Sequence, residues 1–259
     1  MGILNVTPDS FSDGGAWRKP AQAIRRAEQM AAEGAAVIDV GGESTRPGAP
    51  AVDAREERRR VVPVVTALAK RLRVPISVDT SKAVVARAAL DAGASMMNDV
   101  TALRGDPEMA AVFAQARVPV VLMHMRGTPR TMQRRPRYRN VVDQVRQFLA
   151  AAIRTAERQG IASSRIWIDP GLGFGKTVAH NLILMKELDR FVKLGHPVVI
   201  GPSRKSFIGR ILKTDVGERL AGTLACVAQA MAQGVQIVRV HDVKPAAQLI
   251  AMWDAIQRA

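Results

Sequence analysis

Residues 166–176 read IWIDPGLGFGK, and the arrangement of this stretch recurs along the chain. A short apolar run ends at the carboxylate of Asp169 and opens into a glycine-rich loop that contains Lys176. A buried strand followed by such a loop commonly binds a polar ligand in α/β proteins, because the rigid strand positions the loop. A single copy of the pattern is weak evidence. Its repetition predicts the architecture of the whole chain.

Eight short segments rich in β-branched residues alternate with helical patterns. Strands are predicted at residues 3–6, 37–40, 76–79, 96–98, 120–124, 166–169, 198–201 and 237–241. Eight helices are predicted to alternate with them, for example at residues 21–33, 61–71, 84–92, 141–159, 182–194 and 220–233. Eight βα units with strands apolar on both faces predict a parallel sheet closed into a single (β/α)8 TIM barrel. We expect this barrel to be one domain that spans residues 1–259.

Composition and length exclude several classes of protein. Apolar residues make up 47% of the sequence, which is enough for a large core. No apolar run approaches the roughly 18 residues that a membrane span needs, and the first residues lack the features of a signal peptide. The single cysteine, Cys226, provides neither a disulfide nor a cysteine-based metal site. We therefore expect a cytoplasmic protein with no membrane partner.

The net charge is +15, which favours an anionic ligand. The densest basic cluster lies in a region of loop composition and consists of Arg134, Arg135, Arg137 and Arg139. Lys82 is interpreted as an exposed residue at the start of a helix. A nucleic acid partner would also need aromatic side chains for base stacking, and aromatic residues make up only 4%. Small anionic molecules are therefore the expected ligands, and nucleic acid is not expected.

Polar residues follow the apolar runs at the predicted strand ends, where a (β/α)8 barrel binds its ligands. They are Asn5, Asp39, Asp79, Asn98, His124, Asp169, Ser203, Lys205, Arg239 and His241. For some of these residues, and for Lys176 in the glycine-rich loop, a structural role is as consistent with the sequence as ligand binding. Asp39, which precedes two glycines, is equally consistent with bonding to nearby backbone amides. His124 is equally consistent with core packing, and Lys176 with support of its own loop.

Eight segments together resemble the dihydropteroate synthase family. They are NVTPDSFSDGG (5–15), DVGGESTRPGA (39–49), SVDTSK (77–82), NDV (98–100), MHMRGTP (123–129), DPGLGFGKT (169–177), GPSRKSFIG (201–209) and RVHDV (239–243). They follow one another in the family's order and cover nearly the whole chain. The family commonly carries a short segment before the first strand, whereas this chain begins at that strand. We therefore expect a barrel without an N-terminal extension, or else a truncated sequence.

The resemblance implies a transferase reaction of folate biosynthesis. The family joins 4-aminobenzoate to 6-hydroxymethyl-7,8-dihydropterin pyrophosphate, which gives 7,8-dihydropteroate and releases pyrophosphate. The implied mechanism is loss of pyrophosphate followed by capture of the methylene carbon by the neutral aromatic amine, with no general base. Mg²⁺ is the implied cofactor. The family also forms homodimers, for which the apolar helix at residues 220–231 is suitable.

The resemblance assigns roles to individual residues. Asp169 matches the carboxylate that accepts two adjacent N–H groups of the pterin, and the full set of implied pterin contacts is Asp79, Asn98, Asp169, Phe174 and Lys205. Asp79, Lys205 and Arg239 are the implied catalytic residues.

The remaining implied contacts concern the pyrophosphate and the second substrate. Asn5, Arg239 and His241 match the pyrophosphate contacts, and Asn5 also matches the Mg²⁺ contact. The implied 4-aminobenzoate contacts are Thr45, Arg46, Pro47 and Ser203. The loops at residues 7–15 and 43–49 match two mobile lids over the substrates.

Two other functions are compatible with parts of the sequence. A folate-dependent methyltransferase would share the ring-binding carboxylate and asparagine. The segments at 201–209 and 239–243 count against it, because methyl transfer needs no pyrophosphate site. A non-catalytic binder of anions or nucleic acid would show salt-dependent affinity and no turnover.

Overall fold

The computed structural model describes residues 1–7 and 18–259, which contain eight strands and ten α-helices. The strands are β1 (Gly2–Asn5), β2 (Ile38–Gly41), β3 (Ile76–Asp79), β4 (Met96–Asp99), β5 (Val120–Met123), β6 (Ile166–Asp169), β7 (Val199–Ile200) and β8 (Ile237–Val238). Each lies at or within about one residue of a predicted segment, except that β7 and β8 are shorter than predicted. Most of the predicted lid at residues 7–15 falls outside the described residues.

The strands close into a parallel barrel. Strands β1 to β6 pair in sequence order, and β7 pairs with β8. Two parallel bridges complete the ring: Ile168 of β6 with Val198, and Gly2 of β1 with Val240 after β8. The predicted (β/α)8 TIM barrel is therefore confirmed.

The helices surround the barrel. They are α1 (Arg18–Ala32), α2 (Ala54–Ala69), α3 (Ala83–Asp91), α4 (Met109–Ala116), α5 (Val141–Arg158), α6 (Val178–Lys186), α7 (Asp189–Val192), α8 (Ser206–Leu212), α9 (Leu220–Ala232) and α10 (Val243–Arg258). Helix α2 begins earlier than predicted because the Asp53 side chain caps it by accepting from the Glu56 backbone amide. The helix predicted at 182–194 is split into α6 and α7, and no glycine or proline marks that break in the sequence.

Strand side chains alternate between two environments. Leu122 and Ile168 are fully buried in the large cluster that the strands share with the helices. Their strand neighbours point into the barrel, where Met96, Val121 and Val199 form a separate cluster made of strand residues. This inner cluster of apolar side chains lies inside the barrel, and barrels of this kind bind their ligands at the carboxyl ends of the strands. None of the helices in the described part of the chain is long and apolar enough to span a membrane.

Candidate active site

The next inward-facing layer of the barrel carries the polar side chains. Side chains two residues apart on a strand share a face, so Asn98, Met123 and Gly201 lie one layer above Met96, Val121 and Val199. The same alternation brings Asp169 and Arg239 to this level. Residues far apart in sequence thereby meet at the carboxyl ends of the strands.

This layer forms the floor of a cavity that is open to solvent, and the space in it is about 330 Å³ when its solvent-filled mouth is included. Its lining consists of Thr45, Asp79, Asn98, Val100, Met123, Asp169, Leu172, Phe174, Gly201, Lys205 and Arg239. All five predicted pterin contacts are in this set, together with Thr45 and Arg239. The other predicted contacts, Asn5, Arg46, Pro47, Ser203 and His241, are not part of the lining.

Four lining residues were not predicted: Val100, Met123, Leu172 and Gly201. They are apolar residues or glycine, whereas the prediction considered only polar residues at the strand ends and those that the family resemblance implied. Met123 pairs in register with Asp169, and Gly201 lies two residues after the inward-facing Val199. The period-two alternation of the strands could therefore have located both, whereas Val100 and Leu172 lie beyond the strands and carry no such signal.

Asp169 is held by its own loop. Its Oδ1 accepts a hydrogen bond of 2.6 Å from the backbone amide of Gly171, and the side chain is buried. Burial raises the pKa of Asp169 to about 6, against the opposing effects of the Gly171 amide and the charge of Lys205. A Cβ on Gly171, where φ is +70°, would lie 1.9 Å from the carbonyl oxygen of His124. Only glycine fits this turn.

Lys176 and His124 support this loop. Their contacts favour loop support over ligand binding for Lys176 and core packing over a place in the site for His124. The Lys176 Nζ lies 2.9 Å from His124 Nδ1 and donates to the carbonyl of Phe174 at 3.0 Å. The His124 ring packs edge-on against Phe148, with centroids 4.8 Å apart. Burial lowers the pKa of His124 to about 2 and that of Lys176 to about 7. Neither residue lines the cavity.

Lys205 and Phe174 form one wall of the cavity. The Lys205 Nζ lies 4.1 Å from the centroid of the Phe174 ring, a cation–π contact that fixes both side chains. Burial lowers the pKa of Lys205 to about 8, and the negative charge of Asp169 opposes this change. The cationic amine and the Asp169 carboxylate thus offer a donor and an acceptor in the same cavity.

Arg239 connects two carboxylates across the barrel. Its Nε donates to Asp39 at 2.6 Å and its Nη2 to Asp79 at 3.2 Å. Asp39, which is fully buried, also faces Asn98 Nδ2 at 3.4 Å. The alternative that Asp39 binds nearby backbone amides is therefore wrong, because its partners come from distant strands. Burial raises the pKa of Asp79, and Arg239 partly offsets this effect.

One nitrogen of Arg239 and one buried oxygen of its partner Asp39 are unpaired among the residues that the structure describes. In the described part of the chain, Asp39 Oδ1 is buried without a hydrogen-bond partner. Arg239 Nη1 also has no hydrogen-bond partner among the described residues. The guanidinium therefore retains donor capacity for an anionic ligand while its other nitrogens bind the two carboxylates.

The remaining predicted contacts lie beside the cavity. Ser203 Oγ lies 3.0 Å from His241 Nδ1 and accepts from the His241 backbone amide at 3.1 Å. Burial and nearby arginines lower the pKa of His241 to about 3, so the ring is neutral near pH 7. Arg46 and Pro47 are exposed on the loop after β2, and Asn5 ends β1 opposite Gly41.

The basic loop between β5 and α5 lies at the rim of the site. Gln133 Nε2 donates to the Gly173 carbonyl at 2.6 Å, and the Tyr138 hydroxyl donates to the Gly175 carbonyl at 2.9 Å. On its other side, the Pro129 carbonyl accepts from the Gly48 amide at 3.1 Å. The exposed arginines predicted to form a basic cluster are carried by this rim. Part of the net positive charge therefore lies beside the cavity.

The relatives of this chain identify its family. The model of the pterin binding enzyme family matches residues 1–241. A dihydropteroate synthase from Synechocystis is 48% identical over 259 residues, which is 100% of this chain and 90% of that relative. This chain belongs to the dihydropteroate synthase family. Solved structures of dihydropteroate synthases agree with this membership.

Two of these structures carry ligands named in their descriptions. The Yersinia pestis dihydropteroate synthase, in a sulfonamide drug complex, has a TM-score of 0.95 and 45% identity, covering 100% of this chain and 94% of that one. The Xanthomonas albilineans dihydropteroate synthase with 4-aminobenzoic acid has a TM-score of 0.95 and 46% identity, covering 100% and 93%. The resemblance recognised from the eight sequence segments is confirmed.

Proposed function

We propose that the protein is an enzyme that condenses 6-hydroxymethyl-7,8-dihydropterin pyrophosphate with 4-aminobenzoate to give 7,8-dihydropteroate and pyrophosphate. The observation that carries this proposal is a buried carboxylate, Asp169, that lines one cavity together with Asn98, Lys205 and Arg239. This arrangement offers a hydrogen-bonding frame for a flat heterocycle next to a cation for an anion. The cytoplasmic location stays a prediction.

Ring recognition is assigned to the deep part of the cavity. Asp169 accepts from the adjacent ring N–H and amino group of the pterin, a charge-assisted pair. Asn98 can donate and accept along a second edge, and Lys205 donates to a ring acceptor. Because these groups are buried, an analogue that lacks one partner leaves a polar group unpaired and binds poorly.

The reacting carbon is assigned to the region between Asp79 and Arg239. Breaking the C–O bond leaves positive character on the methylene and moves the electron pair to the pyrophosphate. Arg239 stabilises the departing anion, and the negative charges of Asp79 and Asp39 favour the cationic carbon. The aromatic amine then forms the C–N bond and loses its proton to solvent.

The second substrate is assigned to the rim of the cavity. Thr45 lines the cavity, and the exposed Arg46 and Pro47 follow it on the same loop. Ser203, oriented by its contact with His241, is the proposed partner of the aminobenzoate carboxylate. The 4-aminobenzoic acid of the Xanthomonas albilineans relative supports a binding site for this compound.

Mg²⁺ is proposed to bind together with the pyrophosphate. The amide oxygen of Asn5 is a hard donor of the kind that Mg²⁺ prefers. Within residues 1–7 and 18–259, no group of three or more His, Cys, Asp or Glu side chains could hold a metal ion. This sparse donor set fits an ion that keeps waters and shares oxygens with the substrate. When bound, Mg²⁺ would neutralise charge on the leaving group.

The test of the function is a coupled measurement of pyrophosphate release and dihydropteroate formation. The purified protein should release one pyrophosphate per dihydropteroate, with turnover only when 4-aminobenzoate and Mg²⁺ are present. Chelation by EDTA should stop turnover, and added Mg²⁺ should restore it. A folded protein that yields no dihydropteroate would contradict the proposal.

Pterin binding should weaken as the pH falls below about 6. The raised pKa of Asp169, about 6, means that this carboxylate takes up a proton there and loses its capacity to accept two N–H groups. The Kd of pterin without phosphate should then rise about tenfold per pH unit below the pKa, as linkage of one proton requires. Calorimetric titrations from about pH 5 to about pH 8 measure this.

Asp79→Asn is the control for this pH profile, because burial also raises the pKa of Asp79. If Asp169 is the titrating group, the variant keeps the profile. A Kd that stays constant across the pH range would contradict the assignment of Asp169 as the ionised acceptor.

We also propose a homodimer formed through α6, α8 and α9. These helices pack against one another, and their outer faces and the turn between α8 and α9 expose Leu182, Ile183, Ile211, Leu212, Val216 and Leu220. Several large apolar side chains exposed on neighbouring helices are typical of a subunit interface. The sequence pointed only to the helix at residues 220–231, whereas the apolar surface extends over three helices.

Ile183→Asp should convert the dimer into a monomer, because a carboxylate at the interface would be desolvated without a partner. Sedimentation at micromolar concentration measures the mass. Val84→Asp, at an equally exposed apolar residue on α3, is the matched control and should leave the dimer intact. A wild-type protein that sediments as a monomer would contradict the proposed dimer.

A further inference from the structure

A buried ionic cluster lies behind the loop that follows β2. Glu57 on α2 is fully buried, and its Oε2 accepts from Lys82 Nζ at 2.5 Å. The same Nζ donates to Glu43 Oε2, also at 2.5 Å. Lys82 lies at the start of α3, as predicted, but the prediction that it is exposed is wrong, because its ammonium is partly buried between two carboxylates. In the described part of the chain, Glu57 Oε1 has no hydrogen-bond partner.

Glu43 fixes both ends of the loop at residues 43–52. Its Oε1 accepts from the backbone amide of Val52 at 3.0 Å, so one side chain joins the start of the loop to its end. Arg60 Nη1 donates to the Gly42 carbonyl at 2.9 Å, which attaches the preceding residue to α2. Gly42 packs directly on α2: an added Cβ would lie 2.6 Å from Val61 Cγ2. The base of the loop is thus fixed.

The cluster is connected to the cavity on two sides. Thr45, two residues after Glu43, lines the cavity. Lys82 follows Asp79, another lining residue, and its backbone amide donates to Thr80 Oγ1 at 3.2 Å. Lys82 therefore links the loop after β3 to the loop after β2. Displacement of its ammonium would move Glu43 and, with it, the start of the segment that carries Thr45.

The energetics of the cluster favour a geometric role over a stabilising one. Burial of a carboxylate such as Glu57 carries a desolvation cost that a paired lysine offsets only in part, and apolar residues of similar size often stabilise a fold equally well. The ionic cluster has directional bonds that an apolar contact lacks. It fixes the position of Glu43 in a way that hydrophobic packing would not.

We propose that Lys82, through Glu43 and Glu57, is a positioning residue for the 4-aminobenzoate site. Its ammonium sets the position of the loop at residues 43–52, and so of Thr45, Arg46 and Pro47, without touching either substrate. The pterin contacts Asn98, Asp169 and Lys205 come from other strand ends and make no ion pair or hydrogen bond with this cluster. This inference rests on the proposed function, because it assigns the loop to the second substrate of that reaction.

The experiment compares the two substrates in Lys82→Met. In this variant the KM for the aminobenzoate substrate should rise by about tenfold or more, because small displacements of positioning groups have effects of this order. The Kd of dihydropterin pyrophosphate, measured by calorimetry without the second substrate, should change by less than about twofold. Equal changes in both values, or an unchanged KM, would overturn the proposal. A residue with a purely structural role would not separate the two substrates.

Three further variants complete the test. Glu43→Gln weakens the contact between Lys82 and the loop but keeps the Glu57–Lys82 ion pair. This variant should therefore fold even if Lys82→Met does not. It should raise the same KM, and an unchanged KM in this variant also overturns the proposal. Lys82→Arg keeps the charge and should recover most of the affinity. Arg59→Ala removes an exposed ion pair with Glu56 on the same helix and should change neither value.

The two proposals can fail separately. If the wild-type protein forms no dihydropteroate, the proposed function is wrong and the positioning role is lost with it. If the wild-type protein turns over and the Lys82 and Glu43 variants keep its KM for the aminobenzoate substrate, only the positioning role is wrong.

Discussion

Asp169→Asn should abolish pterin binding while the barrel stays folded. The substitution replaces one carboxylate oxygen with an N–H₂ donor, which then faces a donor of the ring. A site that pairs buried hydrogen-bonding groups discriminates against a mismatch by roughly 10⁴-fold. The Kd of pterin should rise by about that factor, and kcat/KM should fall with it.

The fold should survive because the structural contact of Asp169 can be kept. Its Oδ1 accepts from the Gly171 amide, and the amide oxygen of asparagine can accept the same bond. Asp189→Asn, at a partly exposed carboxylate paired with Lys193, is the matched control and should bind pterin like the wild type. Calorimetry measures the affinity and thermal unfolding measures the fold. Retained affinity in a folded Asp169→Asn protein would rule out its role as the pterin acceptor.

Arg239→Ala should weaken binding of dihydropterin pyrophosphate far more than binding of pterin without phosphate. The guanidinium is the cation at the bottom of the cavity with a nitrogen left for the anion. Loss of one such preorganised group lowers kcat by about 10²- to 10³-fold. Titration of the two ligands and a kcat measurement test the prediction together. Equal losses of affinity for both ligands would reassign Arg239 to a structural role.

The same substitution affects stability, and this effect needs its own control. Removal of the guanidinium leaves Asp39 fully buried without its ion pair. Loss of one partner of a buried pair costs about 3–5 kcal/mol. The double variant Asp39→Asn with Arg239→Ala removes the unpaired charge and should be more stable than Arg239→Ala. It should still discriminate poorly between the two ligands, since the anion-binding group is absent.

Local sequence patterns predicted the barrel and the charged and amide side chains of the cavity, because both depend on strand periodicity. Residues such as Asp79, Asn98 and Asp169 end strands, and strand ends can be read from an apolar run that stops. These three positions therefore required no knowledge of contacts between distant segments, whereas their assignment to a pterin came from the resemblance to the family.

The errors of prediction concern partners that are distant in sequence. Asp39 was assigned partly to nearby amides, but its partner is Arg239, 200 residues away. Lys82 was assigned to the surface, but it is paired with Glu43 and Glu57 from the preceding βα unit. A charged residue that ends a strand or starts a helix has the same local sequence whether its partner is water or a distant side chain.

The ion pair between Arg239 and Asp39 lies near the seam where the last strand closes the barrel onto the first. Arg239 follows the last strand, and that strand completes the ring only when Val240 bridges to Gly2 of the first. The ion pair between Arg239 and Asp39 joins residues 200 positions apart, and we expect it to form late in folding because so large a loop must close first. A ligand that binds between these segments links the two ends of the polypeptide. Substrate occupancy should therefore oppose opening of the seam between β8 and β1 and slow global unfolding.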